Sequence, residues 1–262
     1  MPKRVIAVVS GKGGVGKTTT AVNIASLLSM SGRSVVIVDA DVYNPCVLFH
    51  LGLPHQSTGL QTLLEGKADI EDVLTMHPST GLRCISSSIG LERCEKMKNL
   101  QKVISRLDYD YVVIDCAPGF CDVVEDVITA SDAAVVLMTP EIPSCTAAMK
   151  LHHLIRRRKA IRDVHFVLNR VANQNYELHR REVEHFIEGQ VSAVIPEDVN
   201  VPKSVAAKTP VVLYKPNSAA ARALKKFCMS IEPDLRSFKP VPERKDGFLS
   251  SMLNRFRKAF GL

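Results

Sequence analysis

The sequence has no run of about 18 apolar residues, so it offers no candidate for a membrane-spanning helix. Its first apolar, β-branched run begins within a few residues of the N-terminus and leaves no place for a cleaved signal peptide; a cytoplasmic chain is expected. No two cysteines are spaced C-x-x-C. The seven cysteines are odd in number and scattered through predicted strands and helices, which suits reduced thiols better than disulfides or a zinc site. No internal repeat is evident. The only linker-like stretch is EPDLRSFKPVPERKDG, residues 232–247, rich in proline and charge and poor in apolar periodicity.

What is present suffices for one substantial domain. With 262 residues, 46% hydrophobic and 23% charged, the chain can bury a large α/β core. A formal charge of +7 favours an anionic partner, either nucleic acid or an acidic lipid surface, and composition does not choose between them. Basic residues concentrate at His152–Arg162 (HHLIRRRKAIR) and in the last fifteen or so positions. The first cluster reads as a solvated helix end favoured by the macrodipole, with a DNA-contacting face as its alternative.

Apolar runs at Val5–Val9, Ser34–Val38, Tyr111–Ile114, Ala134–Met138, His165–Leu168 and Val191–Ile195 alternate with amphipathic helical patterns. This alternation predicts an α/β fold with a doubly wound, mostly parallel sheet. Ligands of such sheets bind beyond the carboxyl ends of the strands, and each chemical motif below falls at such an end.

Residues 10–20 read SGKGGVGKTTT, and within them GKGGVGKT satisfies G-x-x-x-x-G-K-[ST] between a predicted strand and a predicted helix, Lys17–Met30. Gly11, Gly13, Gly14 and Gly16 leave the backbone N–H groups free to close around phosphate oxygens at a helix N-terminus. Lys17 is then placed to neutralise β- and γ-phosphate charge, and the Thr18 hydroxyl to ligate Mg²⁺. Lys12 lies inside the loop, where its side chain points away from the phosphates its own backbone cradles, so it needs another target.

Residues 12–19, KGGVGKTT, closely resemble the deviant Walker A motif of the MinD/ParA family of P-loop ATPases. The resemblance extends over the core from residue 3 to about 231 and implies a P-loop NTPase that binds ATP and Mg²⁺ and forms an ATP-dependent homodimer. It implies that Lys12 reaches across that dimer to the partner's nucleotide and assists hydrolysis, as an arginine finger does. Gly11, Lys12, Gly13, Gly14, Val15, Gly16, Lys17, Thr18 and Thr19 would form the nucleotide loop, with Lys12, Lys17 and Asp41 as the catalytic residues.

Three further strand ends carry motifs. VDAD, residues 38–41, sets two carboxylates at i and i+2 on one face of an extended chain. The resemblance implies that Asp41 orients the attacking water and that Asp39 helps hold hydrated Mg²⁺; turn-forming aspartates remain the alternative. The following VYNPCVLFHLGL would be a first switch loop, although DADVY-x-P is also similar to the Mrp branch of iron–sulfur carriers. VVIDCAPG, residues 112–119, places Asp115 as a Walker B carboxylate near the metal, and the Ala-Pro-Gly after it resembles the family's second switch, where glycine and proline permit backbone rearrangement, with a plain strand-ending turn as the alternative. Cys116 and Cys121 flank that switch, and a metal cluster on them is a further alternative.

VLNRV, residues 167–171, ends a strand with Asn169, whose amide donates and accepts as an adenine edge requires. By resemblance Asn169 reads the base, and Pro196, Glu197 and Asp198 line the adenine pocket. The guanine-specifying pattern N-K-x-D is absent, which favours ATP.

Past the linker, FLSSMLNRFRKAFGL, residues 248–262, segregates on a helical wheel. Phe248, Leu249, Met252, Leu253, Phe256, Ala259 and Phe260 fall within about 140°, with Arg255, Arg257 and Lys258 on the other side. So short a helix is marginal in water and needs an apolar surface. Its composition is that of an interfacial helix on anionic lipid, with a groove on this chain or on a partner as the alternative. The expected organisation is an ATPase domain over 1–231, a linker over 232–247 and a membrane-targeting helix over 248–262, on a chain that sits peripherally on the cytoplasmic face of the membrane. Its expected role is spatial placement of the division site or a polar structure, with weak ATP hydrolysis stimulated by a protein activator or cargo. A ParA-type DNA segregation ATPase and an Mrp-type carrier stay as rival readings.

Overall fold

The computed structural model describes residues 2–88, 97–158, 161, 163–233 and 235. The predicted helix 248–262 and nearly all of the 232–247 linker lie outside the described residues. The strands are β1 (Arg4–Val9), β2 (Val35–Ala40), β3 (Leu74–Met76), β4 (Arg83–Ile85), β5 (Tyr111–Cys116), β6 (Ala133–Met138), β7 (Asp163–Val171) and β8 (Val191–Pro196). They form one eight-stranded sheet in the order β3-β4-β2-β5-β1-β6-β7-β8. Every pairing is parallel except β3 with β4.

The central strands are continuous apolar runs because both of their faces are covered. Alternation sends Val5, Ala7 and Val9 of β1 into one layer, with Val123, Val127, Ala148 and Leu151 of the helices Asp122–Thr129 and Ile142–Arg158. Ile6 and Val8 point into the opposite layer, against Ile24 and Leu28 of the helix Lys17–Met30 and Leu224 and Phe227 of the helix Ala219–Ile231. The helix after β1 thus covers one face and the helix after neighbouring β5 covers the other. Their divergence opens a crevice at the carboxyl ends of β1 and β5, where doubly wound sheets bind ligands.

The six predicted strands are present, most of them extended by a residue or two at one end. Two strands are additional. β3 and β4 have three residues each and pair across a turn around His77–Gly81, too short for apolar alternation to register. β7 continues to Val171 past Arg170, whose φ of 59° accompanies a shift in the β7–β8 register.

At the opposite end of the sheet Arg4 makes a clamp. Its Nη1 donates to the Ile231 carbonyl at 2.8 Å and to Glu232 at 3.3 Å, and its Nη2 donates to Asp163 at 2.9 Å. The chain therefore leaves its last described helix at the amino ends of the strands.

Candidate nucleotide site

The loop after β1 is shaped by its own backbone. Gly14 and Gly16 adopt φ of 77° and 95°, a left-handed conformation open to glycine, and Gly16 directly precedes the helix Lys17–Met30. Nothing lies within 4 Å of the position a Cβ would take on Gly13 or Gly14, so the loop presents bare backbone to the crevice. Its other side is braced. A Cβ on Gly11 would lie 2.6 Å from the Ala147 carbonyl oxygen of the helix Ile142–Arg158, and one on Gly16 would lie 2.6 Å from Asn169 Nδ2. The Gly119 amide, in the segment after β5, donates to the Ser10 carbonyl at 3.0 Å, so that segment and the loop are directly bonded. Lys17 is buried, Val15 is buried, and Thr18 and Thr19 are half-buried in the first helical turn.

Lys12 turns outward. Its Nζ lies 2.6 Å from Glu141 Oε1, with both side chains close to half exposed. The Thr139 hydroxyl donates to the same carboxylate oxygen at 2.8 Å. The Lys12 ammonium, followed by Thr139, holds the Glu141 carboxyl below its ordinary range. Glu141 was not singled out in the sequence; the available signal was its place just beyond the carboxyl end of β6.

Asp39 and Asp115 are register partners on β2 and β5 and both are buried. Burial raises the pKa of each, and for Asp39 the neighbouring Asp115 adds to the rise. Their environments differ otherwise. Asp39 accepts from the Val47 amide at 2.9 Å and from the Asp41 amide at 3.2 Å, so it pins both ends of the loop between them. Asp115 faces the Thr18 hydroxyl and Lys17, which in that order draw its burial-raised pKa back down, to about 7. Asp41 accepts from the Asn44 amide at 3.1 Å, the arrangement of a turn-forming aspartate. The segment expected as a switch loop is irregular only to Cys46; Val47–Leu51 is a short helix.

Asn169 Nδ2 donates to the Val15 carbonyl at 2.8 Å, bracing the loop and leaving Oδ1 for another partner. The residues after β8 are held internally. Glu197 pairs with Arg170 at 2.9 Å. Asp198 accepts from the Asn200 amide and side chain and from the Ala220 amide at the start of the last helix. Burial pushes the Asp198 carboxyl up, but these bonds outweigh it and bring it down to about 2. Its side chain is thus occupied in capping.

The match to known proteins agrees with this arrangement. The family described as AAA domain matches residues 3–166. An uncharacterized ATP-binding protein of Methanocaldococcus jannaschii is 33% identical over 95% of this chain and 94% of its own length. MinD of Pyrococcus horikoshii, solved as a complex with Mg-ADP, superposes with a TM-score of 0.81 at 27% identity, covering 90% of this chain and 98% of that one. The chain belongs to the MinD/ParA family of ATPases. The family also includes the chromosome partitioning protein ParA of Caulobacter vibrioides, 29% identical over 88% of this chain and 94% of that protein.

For an ATPase of this family the metal in question is Mg²⁺, and the residues fit it. The buried carboxylate of Asp115, a second buried carboxylate in register and the Thr18 hydroxyl beside them form a site that a cation would stabilise. No group of three or more His, Cys, Asp or Glu among the described residues forms a metal cage. Mg²⁺ needs no such cage, being held by one or two carboxylates together with phosphate oxygens and water. Cys116 is buried beside Asp115, with its thiol pKa raised by burial, while Cys121 is exposed. Among the described residues no helix is long and apolar enough to cross a membrane.

Proposed function

We propose that this MinD/ParA-family ATPase uses MgATP to pair with a second copy of itself, and that residues 248–262 hold the pair on an acidic membrane until hydrolysis returns single chains to the cytoplasm. The observation that carries this reading is the position of Lys12, whose ammonium sits at the surface on Glu141 and not over its own loop. An exposed pair of this kind contributes about 0–1 kcal/mol, so exchanging Glu141 for a triphosphate held by another subunit costs little.

In this reading Gly11 to Thr19 enclose the phosphates, Lys17 balances their charge, and Thr18 with Asp115 and Asp39 positions hydrated Mg²⁺. Asp41 orients the attacking water once its loop rearranges, and Asn169 Oδ1 with the turn at 196–198 receives the adenine. Lys12 acts in trans on the developing phosphoryl charge. Turnover is slow and is raised by a protein activator, and the cellular role is the placement of a division site or another polar structure.

The tail supplies the switch. Each cation near an acidic leaflet contributes on the order of 1 kcal/mol, so one tail binds weakly. Two tails on one body make the second insertion intramolecular and raise avidity by about 10²–10⁴. A second reading, an ATP-dependent DNA-binding protein, is favoured by Arg156, Arg157 and Arg158 at the exposed end of the helix Ile142–Arg158.

Co-sedimentation with vesicles containing anionic lipid tests the first reading. The full chain should pellet with ATP and remain soluble with ADP, and both Lys12→Ala and a chain ending at residue 247 should stay soluble. Equal pelleting with the two nucleotides rejects the switch. ATP-dependent DNA retention that survives removal of 248–262 would replace membrane with nucleic acid as the partner.

A further inference from the structure

His50 was not singled out by its motif, yet it joins the first switch segment to the nucleotide loop. It lies in the helix Val47–Leu51. Its Nδ1 is 2.9 Å from the Cys46 carbonyl oxygen, and its Nε2 is 3.4 Å from the Thr19 hydroxyl. Cys46 directly precedes Val47, whose amide is held by Asp39. Thr19 is fixed from its other side, because its carbonyl accepts from Asn23 Nδ2 at 2.7 Å. The half-buried imidazole therefore spans two segments, one ending the switch loop and the other starting the phosphate-binding helix.

The chemistry of the two contacts fixes where protons sit. A carbonyl oxygen only accepts, so Nδ1 must carry a hydrogen in either charge state. In the neutral ring Nε2 is then a bare acceptor and takes the Thr19 hydroxyl proton, turning that proton toward His50. In the imidazolium Nε2 donates to Thr19 Oγ1 instead. The hydroxyl proton is then free to point at a phosphate oxygen. A phosphate accepting from Thr19 thus favours the protonated ring, and a protonated ring favours the phosphate.

We propose that His50 is a positioning residue that couples nucleotide binding to proton uptake, setting the direction of the Thr19 hydroxyl through its own protonation state. The proposal rests on the reading of residues 11–19 as the phosphate loop. Without nucleotide the ring is held neutral near pH 7, since burial lowers its pKa and only the Cys46 carbonyl opposes this. The ionisable groups on the surrounding elements are Asp39 and Asp41 on the switch segment, the Cys46 thiol, Lys17 on the helix carrying Thr19, Lys208 packed against Gly52, and His55 beyond the helix. The causes that set the His50 shift are burial first and then the Cys46 carbonyl. The phosphate is the group that enters on binding and pulls the ring upward. The coupling has a defined sign: affinity strengthens as pH falls, and each unit by which occupancy raises the ring's pKa is at most a tenfold gain.

The test compares MgADP and MgATP affinity of the full chain from pH 6 to pH 8 with that of His50→Gln, whose amide donates to Thr19 without titrating. The nucleotide's terminal phosphate titrates in the same range, so the readout is the difference between the two proteins. The expected result is that the natural chain gains about three- to tenfold more affinity than the variant on going from pH 8 to pH 6. It should also take up a fraction of a proton per site, measured calorimetrically in buffers of different ionisation enthalpy. A variant-independent measurement is the His50 ring resonance in the NMR spectrum, whose midpoint should move up when nucleotide is added. Parallel pH profiles for the two proteins, or an unmoved His50 midpoint, overturn the proposal while leaving the site intact. Failure of the natural chain to bind either nucleotide at any pH would instead overturn the reading of the phosphate loop.

Discussion

Two glycines two residues apart in the nucleotide loop should fail in opposite ways when given a methyl group. At Gly11 the added Cβ would lie 2.6 Å from the Ala147 carbonyl oxygen, 2.7 Å from its Cβ and 2.8 Å from its carbonyl carbon. Ordinary contact begins near 3.4 Å, so the loop and the helix Ile142–Arg158 must separate by most of an ångström. Two of the three opposing atoms are backbone inside that helix, and no rotamer change relieves them. Overpacking of this kind costs about 1–3 kcal/mol. With a urea dependence of about 3 kcal/mol per molar, Gly11→Ala should lower the unfolding midpoint by about 0.3–1 M. At Gly13 the same methyl meets nothing within 4 Å, and φ is outside the left-handed region. Gly13→Ala should leave stability within about 0.5 kcal/mol and yet weaken ATP, because its methyl enters the space assigned to phosphate. Urea unfolding followed by circular dichroism, paired with calorimetric titration of MgATP, separates the two effects. A Gly11→Ala protein as stable as the natural chain would refute the packing argument, and a Gly13→Ala protein of undiminished affinity would refute the placement of the phosphates.

Other substitutions follow from the same contacts. Asp115→Asn removes a buried carboxylate whose ionisation burial disfavours, so the nucleotide-free protein should gain about 0.5–2 kcal/mol in urea while Mg²⁺-dependent ATP turnover falls at least about a hundredfold; a variant both destabilised and fully active would contradict this. Burial, then Arg4, lowers the His165 pKa, and its Nε2 is buried without a partner. Its contribution to stability is therefore complete above the ordinary histidine range and is lost as pH falls from about 6.5 toward the lowered value. His165→Phe should flatten that part of the pH–stability curve, and an unchanged slope would count against it. Glu141→Gln breaks an exposed pair with Lys12, so its effect on the urea midpoint should correspond to less than about 1 kcal/mol. A larger loss would mean that Glu141 carries structure beyond the pair.

The residues that announced the fold are those whose pattern the backbone itself imposes. Continuous β-branched runs marked β1, β2, β5, β6, β7 and β8 because both sheet faces are covered, and the glycines of residues 11–16 marked the turn from β1 into its helix. β3 and β4 were illegible because three residues carry no periodicity and their pairing depends on β2 lying alongside. The site was legible in its membership more than in its bonding. The sequence pointed to Asp39, Asp115 and Asn169, but not to Asp39 being occupied by the Val47 and Asp41 amides, or Asn169 by the Val15 carbonyl. Such partners are set by where loops from distant strands meet, which local spacing does not encode. Glu141 and His50 went unnoticed for the same reason, since each gains its meaning from a residue more than thirty positions away.

The guanidinium clamp of Arg4 fixes where the polypeptide exits, and that exit is remote from the chemistry. The loop after β1 and the segments after β2 and β5 hang from the carboxyl edge of the sheet, while the last described helix ends at the amino edge, across strands of six residues or about 20 Å. None of the Arg4 partners Asp163, Ile231 and Glu232 belongs to the loop after β1 or to the segments after β2 and β5. On the proposed reading, nucleotide state would then act on the membrane through the number of chains held together and not through the root of a single tail.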